Sequence, residues 1–501
     1  MKERQFYPLS EYVNVLKQAG LVTEADLMGK DAHMAEGLTY DSRAVAKGTV
    51  FICKGQAFKE SYLESAVEKG AILYVSENKY NVKAGEIPYI LVKDIRQAML
   101  ELSNFFYQKP WEDLTVIGTG GTKGKTTTSY YIKYILDDYM EATGGKESGI
   151  MSSIDFYDGV NRGESHLTTP ETVELQGHLF NAVSSGINYM EMEVSSQALK
   201  YGRVANMQFD LGIFLNISED HISPVEHKDF EDYFQSKLMM FDLTKHAIIN
   251  MDCDLRDRVL EAAKAAEDIT TFSLKDSSAD FYCDKIEKIP VGLKFHVISQ
   301  DINEDFVLGM PGIFNVENAM AAIAGLTRIG VPLEYIKSGL EKAKTRGRME
   351  MFFNKERDIV AIVDFAHNKL SFERIFQSAV EEYKGYEIRV VFGCPGGKAI
   401  TRRKDLATVA SQYATKVYVT EDDPGSEDRR DICQQIAEHV TCPYEVILDR
   451  VEAIKKAASE CRDKTVLMVL GKGDEANIKY ENGLVDKPAD TTVVAECLNN
   501  M

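Results

Sequence analysis

At 501 residues the chain is too long for one hydrophobic core, because single cores stop growing near ~250–300 residues, and several domains are expected. Its 44% apolar and 27% charged residues are those of an ordinary soluble globular protein. A formal net charge of -20 argues against a nucleic-acid phosphate track or an anionic membrane surface, but leaves room for a local basic pocket holding an anionic small molecule.

The first residues, MKERQFYPLSEYV, lack the apolar core of a leader peptide. No stretch approaches ~18 uninterrupted apolar residues. The eight cysteines, at 53, 253, 283, 394, 433, 442, 461 and 497, form no C-x-x-C pair, so neither a zinc site nor a disulfide framework is indicated. A reduced, cytoplasmic enzyme is expected, monomeric, with no nucleic-acid partner and no membrane insertion.

Three regions follow in chain order. Residues 1–110 carry strand-like runs at Thr49–Cys53 and Ala71–Val75 with a helical stretch between, ending at Lys109-Pro110. Over 111–345 apolar strands alternate with helical periodicity: Leu114–Ile117 enters a glycine-rich loop and a helix begins near Thr126. Tyr189–Val194 and Asp210–Asn216 are strands that end in polar residues. The order predicts a doubly wound α/β core with its ligand at the strand carboxyl ends. Over 346–501 the alternation restarts, with strands at Ile359–Phe365, Ile388–Phe392, Lys416–Thr420 and Val466–Leu470 in a second α/β domain.

The loop Gly118–Thr128 reads GTGGTKGKTTT. A Walker A loop, G-x-x-x-x-G-K-[ST], would place its first glycine at Thr119, so the usual spelling fails. Gly-Lys-Thr directly after an apolar strand still predicts a nucleotide cradle: glycines turn N–H groups toward phosphate and a helix adds its positive end. Lys125 would reach the terminal phosphates, and Thr126 or Thr127 would offer a hydroxyl to magnesium. The alternative is a glycine-rich turn without a ligand.

Alternation puts Glu191 and Glu193 on one strand face, with Glu193 nearer the phosphates and able to hold magnesium. Alone, it would read as a solvated strand end. His221 closes the next strand's rim, although imidazole is an unusual ligand for so hard a cation. In the following helix Phe230, Phe234 and Leu238 form an apolar stripe, and Lys237 lies one residue off it. On spacing alone Lys237 has no assigned role.

The set Gly121–Thr126, Leu167–Pro170, Met192–Ser196, Asp220-His221, Gly312–Asn318, Gly347–Glu350, Asp364–His367 and Gly471–Gly473 resembles the Mur ligases. The likeness is nearest to the enzymes that add the third amino acid to the UDP-N-acetylmuramoyl dipeptide of peptidoglycan. It runs from Tyr40–Arg43 to Glu475 and implies three domains: an N-terminal α/β UDP-binding domain, a central P-loop doubly wound domain and a C-terminal Rossmann-like α/β domain. The family's loop is G-T-x-G-K-[ST], which Gly121-Thr122-Lys123-Gly124-Lys125-Thr126 matches, so Thr119 need not be glycine.

The resemblance implies ATP-dependent amide formation through an acyl phosphate. It implies ATP at residues 121–127, Asn315, Asn318, Arg348 and Asp364. Two Mg2+ ions would lie around Thr126, Glu193 and His221, with Lys125 among the catalytic groups. Lys237, in Tyr233-Phe-Gln-Ser-Lys237, matches a lysine that CO2 converts to a carbamate; the reaction needs a neutral amine, a form that burial favours. Carbamylated Lys237 would be a further metal ligand. Ser42 is the implied uridine-diphosphate contact, and Thr168, Thr169, Ser195 and Arg203 are implied contacts of the muramoyl peptide. The segment Lys54–Lys59 departs from the family's G-x-x-x-D-G-H form, which touches the detail of uridine binding.

Relatives that add meso-diaminopimelate carry D-N-P-R where this chain has Asp422-Asp423-Pro424-Gly425. Asp423 replaces the asparagine and Gly425 the arginine that clamps the distal carboxylate. Five acidic residues within 421–428 instead favour a cationic side chain, L-lysine first and L-ornithine second. Arg403 and Glu475 would meet the amino acid's carboxylate and α-amine, and Gly471 belongs to the same site. The competing readings are the same reaction with meso-diaminopimelate, a folylpolyglutamate synthetase on the same scaffold, a P-loop kinase or ATPase, and a catalytically silent scaffold protein.

Overall fold

A computed structural model describes residues 2–55, 58–82, 86–219, 222, 226–289, 292–398 and 400–501. Its contacts divide the chain into two compact units, one made of 1–217, 234–272 and 321–336 and the other of 218–233, 273–320 and 337–501.

In the first unit, strands Val22–Asp26, Tyr89–Val92, Ala71–Ser76, Thr49–Ile52 and Gly37–Thr39 lie in that order in a five-stranded sheet. Helices Leu9–Gln18 and Ile95–Tyr107 share a core with it, through Leu9, Leu16, Val50, Leu73, Ile90 and Leu102. Arg4 lies over the rings of Phe106, Tyr107 and Phe180, which ties the first residues down.

The same unit holds six parallel strands in the order Gly149–Met151, Tyr189–Glu193, Thr115–Gly120, Phe209–Phe214, Thr244–Asn250 and Asp268–Ser273. The chain starts in Thr115–Gly120, places Gly149–Met151 and then, between the two, Tyr189–Glu193 on one side, and crosses to the other with Phe209–Phe214. That reversal opens a crevice beyond the carboxyl end of the starting strand. Val116, Ile117, Met190, Met192, Leu211 and Ile213 are wholly buried, as expected of strands covered on both faces. Strands Asp155–Tyr157 and Arg162–Glu164 extend this sheet antiparallel.

The second unit contains the antiparallel meander Phe281–Lys288, Leu293–Ile298 and Asn303–Leu308, which the alternating pattern over 111–345 did not disclose. A six-stranded sheet in this unit runs Glu350–Asn354, Ile359–Asp364, Thr465–Leu470, Glu387–Phe392, Lys416–Val419 and Tyr444–Val446, with all but the first strand parallel. The fold is the mixed α/β type expected, and every strand named above from the sequence is present within one or two residues, except that Leu114–Ile117 is observed as Thr115–Gly120 and runs three residues into the stretch read as loop. No helix among the described residues is long and apolar enough to cross a membrane.

Candidate active site

The loop leaves strand Thr115–Gly120 and enters helix Lys125–Thr143. Gly121 takes a φ of 146°, and a Cβ there would stand 3.0 Å from the Leu215 Cβ. Only glycine meets both demands without strain. Asn216, just past strand Phe209–Phe214, grips the loop. Its carbonyl accepts from Thr122 N–H at 3.0 Å, and its side chain accepts from Lys123 N–H at 2.9 Å and donates to the Lys123 carbonyl at 3.0 Å. Gly121→Ala is expected to weaken ADP binding about tenfold, since strain at such a dihedral costs about 1–3 kcal/mol; calorimetric titration of ADP checks it, and an unchanged dissociation constant would show a loop with slack.

Two lysines converge on one loop oxygen. The Lys125 ammonium donates to the Gly121 carbonyl at 3.1 Å, and that of Lys237 donates to the same oxygen at 2.7 Å. Lys237 does not stand at the edge of an apolar stripe. In helix Phe230–Leu238 the buried positions are Tyr233, Phe234, Ser236 and Lys237, while Phe230 and Leu238 are only half-buried. The buried face is thus turned from the one that spacing suggested, and Lys237 lies within it at 4% exposure. One buried and one half-buried lysine at a loop of this shape make an anion site.

Glu193 ends its strand wholly buried. One carboxylate oxygen accepts from the Thr126 hydroxyl at 2.8 Å and from Ser153 N–H at 2.7 Å; the other accepts from the Ser153 hydroxyl at 3.0 Å. With its own proton on Glu193, the Ser153 oxygen accepts from the Thr168 hydroxyl at 3.1 Å. Thr169 donates to the Glu193 carbonyl at 2.8 Å and accepts from Ser195 N–H at 3.0 Å. Arg203 donates to the Thr169 carbonyl at 3.2 Å and pairs with Glu171 at 2.8 Å, and Glu171 also pairs with Lys54. The sequence-derived Thr126, Thr168, Thr169, Glu193, Ser195 and Arg203 therefore form one hydrogen-bonded chain. Ser153, Asn216 and Glu171 belong to it and were not singled out. Ser153 lies forty residues from Glu193 in an irregular segment, and no spacing rule reaches that far.

The Thr126 hydroxyl and Glu193 carboxylate are hard oxygen donors side by side, a set that fits Mg2+. Among the described residues no three His, Cys, Asp or Glu side chains form a metal cluster. His221 lies outside the described residues. Glu191, two residues before Glu193, is also wholly buried, and burial pushes its carboxyl up to about 8.

In the second unit Asn315 and Asn318 start helix Phe314–Arg328 and are buried. Asn315 donates to the Pro311 carbonyl at 2.6 Å, and Asn318 donates to the Asn315 side-chain oxygen at 3.2 Å. The Arg348 guanidinium lies 4.3 Å from the Phe365 ring centroid, and Asp364 accepts from Met349 N–H at 2.8 Å, so Arg348 and Asp364 flank one turn. Gly471 N–H donates to the Asp364 carbonyl at 3.0 Å.

The acidic stretch 421–428 is mostly engaged internally. Glu421 accepts from Arg429 at 2.8 Å and from Tyr480 at 2.9 Å, and Asp428 caps helix Arg429–Ala437. Glu427 takes Arg403 in a fork, both bonds at 2.7 Å, while Gln435 accepts from the same guanidinium at 2.6 Å. Arg403 is thereby buried in a protein pair. Of the five carboxylates only Asp422 and Asp423 are left beside the 471–475 loop, where Lys472 bonds Asp423 at 2.9 Å and also Glu475. Burial raises the Asp422 carboxyl above its ordinary value. Gly425 has a φ of 59°, a conformation that disfavours any side chain at the clamp position.

In the first unit, the Ser42 carbonyl accepts from Lys69 at 2.8 Å, and Arg43 pairs with Asp41 on either side of it. The Lys54 ammonium sits 4.7 Å from the Tyr40 ring centroid.

Residues 119–326 match the Mur ligase middle domain, and residues 347–473 match the Mur ligase glutamate ligase domain. The chain is 38% identical to a UDP-N-acetylmuramoyl-L-alanyl-D-glutamate--L-lysine ligase of Streptococcus thermophilus, over 88% of each chain. It is 35% identical to a UDP-N-acetylmuramyl-tripeptide synthetase of Lactobacillus delbrueckii subsp. bulgaricus, over 96% of each. A solved UDP-N-acetylmuramoyl-L-alanyl-D-glutamate--2,6-diaminopimelate ligase shares the fold, with a TM-score of 0.65 at 24% identity across 99% of both chains. The phosphate-type loop, the buried glutamate at the neighbouring strand end and these matches agree, and the chain belongs to the Mur ligase family of ATP-dependent amide-forming ligases.

Proposed function

We propose that the protein adds L-lysine to UDP-N-acetylmuramoyl-L-alanyl-D-glutamate, within three domains spanning 1–110, 111–345 and 346–501, as a cytoplasmic monomer. The observation that carries the ligase chemistry is the chain Lys125–Gly121–Lys237 beside Thr126–Glu193. In the reaction a substrate carboxylate oxygen bonds to the γ-phosphorus as ADP leaves. The amine then attacks the acyl carbon, loses its proton, and expels phosphate. Lys125 and the loop N–H groups stabilise charge on the transferred phosphoryl group, and Thr168, Thr169, Ser195 and Arg203 orient the muramoyl peptide. Ser42 meets the uridine diphosphate, and Asn315, Asn318, Arg348 and Asp364 are the second unit's candidate contacts for ATP.

Two Mg2+ ions held by Thr126, Glu193, His221 and carbamylated Lys237 would supply neutralising charge for the phosphates. Asp423 and Glu475 receive the amine groups of the amino acid. Arg403 contributes by holding Glu427, which fixes the acidic loop. Support for lysine comes from Gly425 in place of an arginine clamp, from Asp423 beside Glu475, and from the likeness to the L-lysine ligase of Streptococcus thermophilus. Phosphate release with the muramoyl dipeptide and a panel of amino acids tests this. We expect kcat/KM for lysine to exceed that for meso-diaminopimelate by at least ~10²-fold, the discrimination available to a site built for one polar group. Equal or better use of diaminopimelate overturns the assignment, and a preference for ornithine redirects it.

A further inference from the structure

Thr119, the residue that breaks the Walker A spelling, has a partner. Its hydroxyl donates to Glu191 Oε1 at 2.7 Å, and the Ser129 hydroxyl donates to the same oxygen at 2.7 Å. All three side chains are wholly buried. Thr119 is the last residue but one of the strand that enters the loop, and Ser129 lies in the first turns of the helix that leaves it. Glu191 comes from the adjacent parallel strand, paired through Glu191 with Ile117 and through Glu193 with Thr119. One carboxyl oxygen therefore bridges both ends of the phosphate loop from a third element. Glu191 Oε2 is buried with no hydrogen-bond partner, so the group's only polar work is done through Oε1.

We propose that Glu191 is a positioning residue for ATP: it locks the entry strand to the exit helix, so that the loop N–H groups and Thr126 are presented at fixed spacing. Every loop residue from 120 to 124 hangs between the two anchored hydroxyls. Loss of the bridge lets the strand end and the helix start drift apart by fractions of an ångström, an error that phosphate cradles translate into affinity. Glu193, two residues further and on the same strand face, then acts on a Thr126 whose helix is already fixed. The division of labour is depth: Glu191 holds the scaffold and Glu193 the reacting end.

This rests on the reading of residues 121–126 as the ATP site, and saturation of the wild-type enzyme by ATP in the same assay tests that reading separately. The steady-state KM for ATP and for the UDP-linked dipeptide are compared in Glu191→Leu, which keeps volume and removes the acceptor, and in Glu191→Gln, which keeps an acceptor oxygen. We expect Glu191→Leu to raise the ATP KM about tenfold with the dipeptide KM changed less than about twofold, and Glu191→Gln to keep the ATP KM within about threefold of wild type. Should Glu191→Leu fail to fold, Thr119→Val and Ser129→Ala each remove one donor and should each raise the ATP KM by about threefold. A folded Glu191→Leu with an unaltered ATP KM overturns the proposal. So does an equal rise in both KM values, or damage by Glu191→Gln as large as by Glu191→Leu. Thr119→Val and Ser129→Ala both leaving the ATP KM unchanged overturns it as well.

Discussion

Glu193→Gln is expected to leave a folded protein whose kcat falls by on the order of 10²–10³, the usual consequence of removing one charge-stabilising group from a phosphoryl or acyl transfer site. The isosteric choice matters because this carboxylate is wholly buried and also bonded to Ser153 N–H and to two hydroxyls. A glutamine oxygen can accept from Thr126 and from Ser153 N–H as Glu193 Oε1 does, and its amide nitrogen can donate to the Ser153 hydroxyl. The hydrogen bonds survive and only the charge goes. Any loss of turnover then reports charge, whereas Glu193→Ala would mix charge with two orphaned hydroxyls. Kinetics at saturating ATP, with the thermal midpoint measured alongside, decide the matter. A variant that keeps more than half of wild-type kcat would show Glu193 to be only a structural acceptor.

Much of this site was legible in the sequence because it is built from local signals. A strand, three glycines and Gly-Lys-Thr fix a loop within a dozen residues, and a period of two sets Glu191 and Glu193 on one face. What was not legible depends on distance or on sign. Ser153 and Asn216 act on residues forty and ninety-three positions away, through bonds that no periodicity encodes. Lys237 drew no role from spacing because apolar periodicity says nothing of a buried lysine, and the nine-residue helix offers too few turns to correct the phase of its stripe. The acidic run 421–428 misled in a different way. Composition counts charges, but Glu427 and Glu421 are matched by Arg403 and Arg429, and only the fold reveals which carboxylates are left over. The antiparallel meander at 281–308 escaped because its strands show only broken polar–apolar alternation, and Pro290 and Gly292 between the first two were not taken as a hairpin connection.

Lys237→Met is expected to lower turnover by at least ~10²-fold, and Lys237→Glu to recover about tenfold of that loss. The reason lies in the shared acceptor. Two ammonium groups, on Lys125 and Lys237, bond one carbonyl oxygen, and Lys237 is almost wholly buried there. Like charges at such range oppose one another strongly where water is excluded. Addition of CO2 to a neutral Lys237 amine forms an N–C bond and releases a proton, leaving a carbamate anion that still carries one N–H. That N–H can go on donating to the Gly121 carbonyl while the new oxygens face Lys125 as an attractive partner. Under the proposed carbamylation, repulsion would become attraction without loss of the existing bond. A methionine keeps the packing of the side chain and loses both the donor and the anion; a glutamate restores an anion on a shorter arm. Isotope-labelled bicarbonate should give a carbamate resonance in the wild type that is missing in both variants. If Lys237→Met turned over at near the wild-type rate, the anion would be dispensable. If Lys237→Glu were no better than Lys237→Met and no labelled carbamate formed, Lys237 would act as a cation, with Lys125, on the phosphates themselves.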